Sequence, residues 1–306
     1  MPKIKHIESN LDTQIHLTLM IIIADSGSTK CDWKLVDSSG IKQHFSTKGY
    51  NPFFYTSEVI YKELQPVFSN IEMAKTVKKV VFYGAGCSDD FHSGIVKDGL
   101  QQVFQASEIE VQHDLLAAAR ATCGTKAGLA CIIGTGSNSC LYDGKNVIDN
   151  VSNLGYLMGD EGSGSHLGKA LIRAYAYREM PADLMRRFEQ KYNFTNIRQI
   201  VKTVYESSTP NVYLASLSRF YSENSTHEFI QQLVAKSFRA FTQRHLLKYQ
   251  SAQNLPAHFV GSIAYYFKDI LKFVLQSEGI ELGLIIKQPI DNLVEYHQIN
   301  DTIYSG

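Results

Sequence analysis

A chain of 306 residues is long enough to form two domains, each with a hydrophobic core of its own. Its hydrophobic content of 44% and its charged content of 20% are those of an ordinary globular protein. Thirty basic and thirty acidic residues give a formal net charge of zero, which provides no electrostatic reason to expect nucleic acid or an acidic membrane as a partner.

The sequence shows neither a membrane span nor a leader. No apolar run approaches the roughly 18 residues that a spanning helix needs, and the N-terminus lacks the basic, apolar and small-residue order of a secretory signal. The five cysteines form an odd set without the Cys-x-x-Cys spacing of metal and redox sites: Cys31, Cys87, Cys123, Cys131 and Cys140. We therefore expect a cytoplasmic protein with buried, reduced thiols.

The first nineteen residues differ in character from the rest of the chain. Residues 1–19 are polar and weakly periodic, whereas the first convincing core strand begins at Met20. We expect a flexible extension at 1–19, with Met20 as the natural start.

The first hairpin carries a candidate phosphate turn. The apolar run Met20 to Ala24 ends in Asp25, the small polar turn 26–29 comes next, and period-two alternation then resumes. Glycine and hydroxyl residues let backbone N–H groups approach a ligand, and concave arrays of amides suit phosphate. Asp25 would hold Mg²⁺, directly or through water, because hard cations prefer oxygen ligands. For a single copy of this pattern, the alternative is an ordinary tight β-turn.

Strands and helices alternate after this hairpin. In chain order we predict a strand (41–48), a breaking turn (49–52), a helix (56–68), a strand (77–83), a helix ending near 104, a strand (108–112) and an alanine-rich helix (115–122). Asp114 falls between the last strand and the last helix of this series.

A second hairpin at 129–142 repeats the first. It has the same apolar run, the same kind of turn, Gly134-Thr-Gly-Ser137, and the same return strand. The chain is therefore interpreted as two related halves, whose facing turns would clamp one polyphosphate.

The remaining sequence is mostly helical. We predict a glycine-rich loop (153–163), a helix (166–178), an almost wholly helical region (182–250), a strand (258–260), a helix (263–277), a strand (282–286) and a final helix (290–299).

The ordered motifs resemble those of the sugar-kinase, actin and heat-shock ATPase superfamily. The most similar branch is the one shared by N-acetylglucosamine kinases and the ATPase subunits that activate benzoyl-CoA reductase and 2-hydroxyacyl-CoA dehydratase. The resemblance extends over nearly everything from Met20 onwards. Its motifs are Asp25-Ser-Gly-Ser-Thr-Lys-Cys-Asp-Trp33, Gly84-Ala-Gly86, Asp114, Gly134-Thr-Gly-Ser-Asn138, Gly159-Asp-Glu-Gly-Ser163 and Gly261-Ser-Ile-Ala264.

The resemblance implies an α/β fold of two ribonuclease-H-like (actin-like ATPase) domains with ATP in the cleft between them. We expect residues 20–115 plus 288–306 in the first domain and residues 116–287, with a helical insertion, in the second. The final helix would then cross back onto the first domain. By this likeness Asp25 serves Mg²⁺, and ATP contacts come from Ser26, Gly27, Ser28, Thr29, Lys30, Gly134, Thr135, Gly136, Ser137, Gly261 and Ser262.

Asp114 is the candidate general base. Phosphoryl transfer needs an in-line hydroxyl, a neutralised polyphosphate and a carboxylate that receives the hydroxyl proton. Asp114 lies at the carboxyl end of a strand and the start of a helix, where a carboxylate is favoured and where open α/β sheets bind ligands. The alternative is a simple helix N-cap. We favour catalysis, because the position resembles the one at which the family carries its base.

Candidate sugar contacts are Asn51, Asp114, Gly155 and Asp160, because donors and acceptors of fixed geometry discriminate among hydroxylated ligands. A turn at Asn51 and an N-cap at Asp160 are the structural alternatives, and Glu161 would complement a helix dipole. One departure stands out, since the kinases usually read Gly-Trp-Gly where this chain has Asn153-Leu154-Gly155. That departure puts recognition of an acetyl group in doubt.

These features predict a kinase that transfers phosphate from ATP with Mg²⁺ to an amino sugar, N-acetylglucosamine above all, with a 6-phosphate product. Glucosamine or another hexose is the alternative substrate. The rival class is an ATPase activator of a CoA-ester reductase or dehydratase with an interfacial iron–sulfur cluster, and a third is a non-catalytic ATP-dependent module. Aromatic residues of the helical region would permit a homodimer if they are exposed and are otherwise core: Tyr213, Phe220 and Tyr221.

Overall fold

The structure is a computed structural model that describes residues 20–27, 29–37, 39–69, 76–193, 196–250 and 254–300. The predicted extension at 1–19 and Ser28 of the first turn lie outside the described residues. The described strands form two five-stranded sheets. Their bounds are β1 (Met20–Ser26), β2 (Lys30–Asp37), β3 (Gly40–Lys48), β4 (Val77–Gly84), β5 (Glu108–His113), β6 (Gly128–Ile133), β7 (Ser137–Tyr142), β8 (Val147–Asp149), β9 (Ala257–Val260) and β10 (Leu282–Ile286).

The two sheets have the same topology. The first has the order β3-β2-β1-β4-β5, and the second has the corresponding order β8-β7-β6-β9-β10. In each sheet the first three strands in chain order pair antiparallel, and the last two join them in parallel. The duplication predicted from the two hairpins is therefore confirmed, and the chain has the two-domain α/β fold that the sequence predicted.

The helices separate into three groups. The first sheet carries α1 (Ser57–Ser69), α2 (Asp90–Val103) and α3 (Asp114–Cys123). The second half carries α4 (Gly155–Met158), α5 (Gly164–Ala176), α6 (Ala182–Tyr192), α7 (Ile197–Glu206), α8 (Pro210–Ser216), α9 (Ser218–Glu223), α10 (Glu228–Arg244), α11 (Ser262–Tyr266) and α12 (Lys268–Ser277). The final helix is α13 (Ile290–Asn300).

Two helices join the halves. Eight of the ten residues of α3 are buried, and the helix contacts strands of both sheets. Helix α13 packs on α3, β1 and β2, and Tyr83 Oη lies 2.8 Å from His297 Nε2. The final helix thus returns to the first sheet, as the resemblance implies. Because α3 touches both sheets, the domain limit at 115 stays a prediction.

The structure differs from the predicted elements in several places. A three-residue strand, β8, was not predicted, and α4 forms inside the loop that was predicted to be irregular. The helix predicted at 263–277 is broken at Phe267 into α11 and α12. Phe220 and Tyr221 are buried, so these two aromatic residues are core and provide no dimer face. Among the described helices, none combines the length and apolar character needed to cross a membrane.

Candidate active site

A cleft of about 760 Å³ brings together nine of the predicted site residues, drawn from both halves of the chain. Its lining includes one residue of the first turn, the whole second turn, the candidate base and all candidate sugar residues: Gly27, Asn51, Asp114, Gly134, Thr135, Gly136, Ser137, Gly155 and Asp160. The lining does not include Asp25, Ser26, Thr29, Lys30, Gly261 or Ser262. One described residue of the first turn therefore lines the same cleft as the whole second turn, and that the two turns clamp one polyphosphate stays a prediction.

The first turn is held by its neighbours. Gly27 N–H donates to Lys30 O at 2.9 Å, which closes the turn. Ser26 is buried and its hydroxyl accepts the Tyr50 N–H at 3.0 Å, so this side chain positions the loop after β3. The Lys30 ammonium pairs with Asp32 at 2.7 Å. Gly27 is thus the described residue that this turn presents to the cleft.

Three backbone carbonyls of the second turn accept hydrogen bonds within the protein. Gly134 N–H donates to Gly136 O at 2.9 Å, while the N–H groups of Gly164 and Ser165 donate to Gly134 O and Thr135 O at 2.8 and 3.0 Å. The Ser137 hydroxyl is buried and has no hydrogen-bond partner among the described residues. A buried polar group that lacks a partner is costly, so a ligand oxygen would fit here.

Gly261 supports the second turn from behind. Its φ is +126°, and a Cβ at this position would lie 2.3 Å from Ile133 O and 3.0 Å from Gly134 N. A residue other than glycine would therefore collide with the backbone that leads into the turn. The structure thus assigns Gly261 a packing role, and Ser262 begins α11 beside it.

Asp114 begins helix α3 at the end of β5 and lines the cleft. The N-cap of this helix is His113, whose Nδ1 accepts the Leu116 N–H at 3.3 Å. The alternative that Asp114 is itself the N-cap is therefore wrong. Burial raises the pKa of Asp114 to about 6, although the N–H groups at the helix start favour its ionised form.

Asp25 lies at the end of β1, in register with Asp32 of β2. Burial and the negative charge of Asp114 raise the pKa of Asp25 to about 7, and the charge of Asp32 adds to this. The positive charge of Lys30 opposes this rise only in part. A carboxylate whose ionisation is opposed by burial and by neighbouring carboxylates fits a divalent cation. No cluster of three or more His, Cys, Asp and Glu side chains suited to a metal is found in the described ranges. Mg²⁺ would therefore be held by few protein oxygens and by phosphate and water.

Asp160 joins the second turn to the loop before α5. Its φ is +58°, and its carboxylate accepts hydrogen bonds from Ser137 N at 3.2 Å, Asn153 Nδ2 at 2.8 Å and Ser165 Oγ at 3.2 Å. The N-cap of α5 is Ser163, so the N-cap alternative for Asp160 is wrong. Asp160 lines the cleft and at the same time fixes the backbone of the turn.

Asn51 and Glu161 are engaged in different ways. The Asn51 Oδ1 accepts the Phe53 N–H at 3.0 Å, which leaves its amide group as the donor at the cleft. Glu161 is buried and forms an ion pair with Arg244, and its Oε2 lies 3.4 Å from Nε2 of His245, which follows α10. These contacts anchor the loop. The predicted role as a first-turn acid is wrong, because Glu161 precedes the N-cap Ser163 and the first turn of α5 holds no acidic residue.

Phe53 and Asn211 are among the cleft residues that sequence reasoning missed. Phe53 lines the cleft with 59% of its surface exposed, and its ring stacks on His92 at 4.0 Å between centroids. Asn211 comes from α8 in the helical insertion. The available signal was the Gly-x-x-x-Gly spacing of Gly164 and Gly168, where α5 accepts the backbone of α8 so closely that a Cβ on Gly168 would lie 2.1 Å from Leu214 O.

All five cysteines are free and buried, as predicted. Burial raises the pKa of the Cys87 and Cys140 thiols to about 12.

Comparison with solved structures identifies relatives over most of the chain. A putative N-acetylglucosamine kinase from Porphyromonas gingivalis matches with 39% identity and a TM-score of 0.87, covering 92% of this chain and 99% of that one. A putative N-acetylglucosamine kinase from Chromobacterium violaceum matches with 17% identity and a TM-score of 0.67, covering 93% and 100%. MreB5 of Spiroplasma citri, solved with ADP bound, matches with 11% identity and a TM-score of 0.59, covering 94% and 98%.

The last two comparisons show a shared fold alone. Neither a protein-family model nor a curated protein matches the chain. The first comparison is different in kind, because its identity of 39% extends over almost the whole relative. This chain belongs to the N-acetylglucosamine kinase-like branch of the sugar-kinase, actin and heat-shock ATPase superfamily.

Proposed function

We propose that this protein is an ATP-dependent kinase that phosphorylates the 6-hydroxyl of an amino sugar, N-acetylglucosamine above all. The observation that carries the proposal is the shared cleft, which Gly27, the turn Gly134 to Ser137 and Asp114 all line. This is the set of groups that phosphoryl transfer requires: amides for the polyphosphate and a carboxylate for the incoming hydroxyl.

In the proposed reaction, the oxygen of the sugar hydroxyl bonds to the γ-phosphorus while Asp114 accepts the proton of that hydroxyl. At the same time the bond between the γ-phosphorus and the β-γ bridging oxygen breaks, and ADP leaves. In the second turn the N–H groups of Thr135 and Gly136 would hold the phosphates in line, because those of Gly134 and Ser137 donate to Gly136 O and Asp160 Oδ1. Mg²⁺ near Asp25 would neutralise phosphate charge when bound. The N–H of Gly27 is already committed to Lys30 O, so other amides of the first turn would provide its contacts.

The direct test is a panel of sugars assayed by coupled ADP release. We expect N-acetylglucosamine to stimulate ADP release far above the basal hydrolysis rate and phosphorus NMR to identify the 6-phosphate. Glucosamine and glucose, in the same assay, measure what the acetamido group contributes. Equal, slow hydrolysis with every sugar would contradict the kinase assignment.

Phe53 supports an acylated substrate. Its exposed ring offers an apolar face beside Asn51, and an acetyl methyl placed there would leave water. We expect Phe53→Ala to raise KM for N-acetylglucosamine by about fourfold or more, since burial of one methyl-sized group contributes about 0.8 kcal/mol. KM for glucosamine should change little. Both constants are measured by the coupled assay.

Phe54→Ala is the matched control for this prediction. Phe54 is 81% exposed and is absent from the cleft lining, so its removal should alter neither KM. If Phe53→Ala raised both KM values equally, the Phe53 ring would contact the sugar ring or support the loop, and it would not select the acetyl group.

A further inference from the structure

The side chain of Asn153 links the second turn to the loop that precedes α5. Its Nδ2 donates to Ser137 O of the second turn and to Asp160 Oδ1 at 2.8 Å. Its Oδ1 accepts the N–H of Gly155 at 2.9 Å and that of Asp160 at 3.4 Å. The amide therefore uses both its donors and both its acceptor positions. It joins the turn proposed for phosphate to the loop proposed for sugar.

The orientation of this amide is fixed by its surroundings. Oxygen and nitrogen of an Asn side chain are assigned from their partners, and here two acceptors face Nδ2 while two donors face Oδ1. In the opposite orientation, the amide nitrogen would face two N–H donors and the amide oxygen would face two oxygen acceptors. The space is also closed, because a Cβ on Gly159 would lie 3.1 Å from Asn153 Oδ1.

Resting on the proposed function, we propose that Asn153 is a positioning residue that couples the binding of the nucleotide to the binding of the sugar. A nucleotide that orders Ser137 also orders Asn153, because the Ser137 carbonyl is one of its four partners. The fixed Asn153 in turn holds the Gly155 amide and the Asp160 carboxylate in one arrangement. The second ligand then meets a loop whose ordering entropy has already been lost, which gives positive cooperativity.

Reciprocity makes the proposal measurable. If the nucleotide tightens sugar binding by some factor, the sugar must tighten nucleotide binding by the same factor. For the wild-type protein we expect N-acetylglucosamine to bind at least about fivefold more tightly in the presence of the non-hydrolysable ATP analogue AMP-PNP and Mg²⁺. Isothermal titration calorimetry, with each ligand titrated in the absence and presence of the other, provides both factors.

The variant Asn153→Ala removes all four hydrogen bonds. We expect the coupling factor to fall to within about twofold of one, whereas each ligand alone still binds. The matched control is Asn150→Ala, which removes another amide of the cleft lining. The Asn150 amide donates to Asn138 Oδ1 at 3.1 Å, to Ser139 O at 2.6 Å and to Val151 O at 3.4 Å, and it bonds to neither Gly155 nor Asp160. The control should retain the wild-type coupling factor.

Hydrogen exchange on the wild-type protein tests the same link without a mutation. AMP-PNP alone should slow amide exchange in the segment 151–160, because the N–H groups of Gly155 and Asp160 donate to Asn153. This measurement decides the matter if Asn153→Ala does not fold.

Three results are distinguishable. Wild-type coupling that survives in Asn153→Ala would overturn the proposal, as would an unchanged exchange rate at 151–160 with the nucleotide bound. Wild-type protein that binds both ligands without coupling would also overturn it and would leave the kinase assignment intact. Failure of the wild-type protein to bind either ligand would instead count against the proposed function, on which this inference rests.

Discussion

Replacement of Asp114 by asparagine is expected to lower kcat on N-acetylglucosamine by about 10²- to 10⁴-fold, the usual contribution of a positioned general base. The amide has the shape of the carboxylate but cannot accept the proton of the sugar hydroxyl. The N–H groups at the start of α3 favour the ionised carboxylate, and an amide oxygen can also accept from such donors. The dissociation constant for AMP-PNP should therefore change by less than about twofold, because binding and proton transfer use different groups.

Asp90→Asn is the matched control for this variant. Asp90 is the first residue of α2, as Asp114 is of α3, but its side chain is exposed and absent from the cleft lining. It should retain wild-type kcat. Turnover of Asp114→Asn within about tenfold of wild type would remove Asp114 from the role of base, because that is less than a general base contributes.

The pH profile gives a second measure of the same residue. The proposed base acts in its ionised form, and burial raises the pKa of Asp114 to about 6. With Mg²⁺ saturating, log kcat/KM should therefore rise with a slope of one up to about pH 6 and then level off. Its acidic limb should disappear in Asp114→Asn. A profile that is flat down to pH 4.5 would mean that the carboxylate ionises at a lower pH or is not required.

The sequence predicted the two hairpins and most of their covering elements, because apolar runs and period-two alternation report strand burial directly. It missed β8, which has only three residues, most of them exposed. It also missed the short helix α4, which begins at one glycine and ends before another. Neither element buries enough apolar surface to leave a pattern.

The candidate site was predictable for those residues whose position follows from a neighbouring strand in the sequence. Gly134 to Ser137 and Asp114 follow strands at the sheet edge, and the structure brings them to one cleft. Asn211 was not predictable in this way, because it reaches the cleft only through the packing of α8 on α5. Asn153 looked like a departure from a motif, and its four partners became visible only when loop and turn met in space.

Gly49 was interpreted from sequence as a strand breaker, and the structure gives it a more specific constraint. A Cβ at this position would lie 2.0 Å from Gly27 O and 3.2 Å from Lys30 N. Both atoms belong to the backbone of the first hairpin turn, so no side-chain rotation can relieve the contact. We expect Gly49→Ala to lower the free energy of unfolding by about 3 kcal/mol, the upper range for overpacking. Chemical denaturation measures this change.

The same substitution should weaken AMP-PNP binding, because the turn can escape the new methyl group only by moving Gly27, which lines the cleft. Gly94→Ala is the control: a Cβ there meets nothing within 4 Å, and it should stabilise α2 by about 0.5–1 kcal/mol. Wild-type stability and wild-type nucleotide affinity in Gly49→Ala would contradict the close approach of these two segments. A lower free energy of unfolding with unchanged affinity for AMP-PNP would instead mean that Gly49 matters for packing and that nucleotide binding does not depend on it.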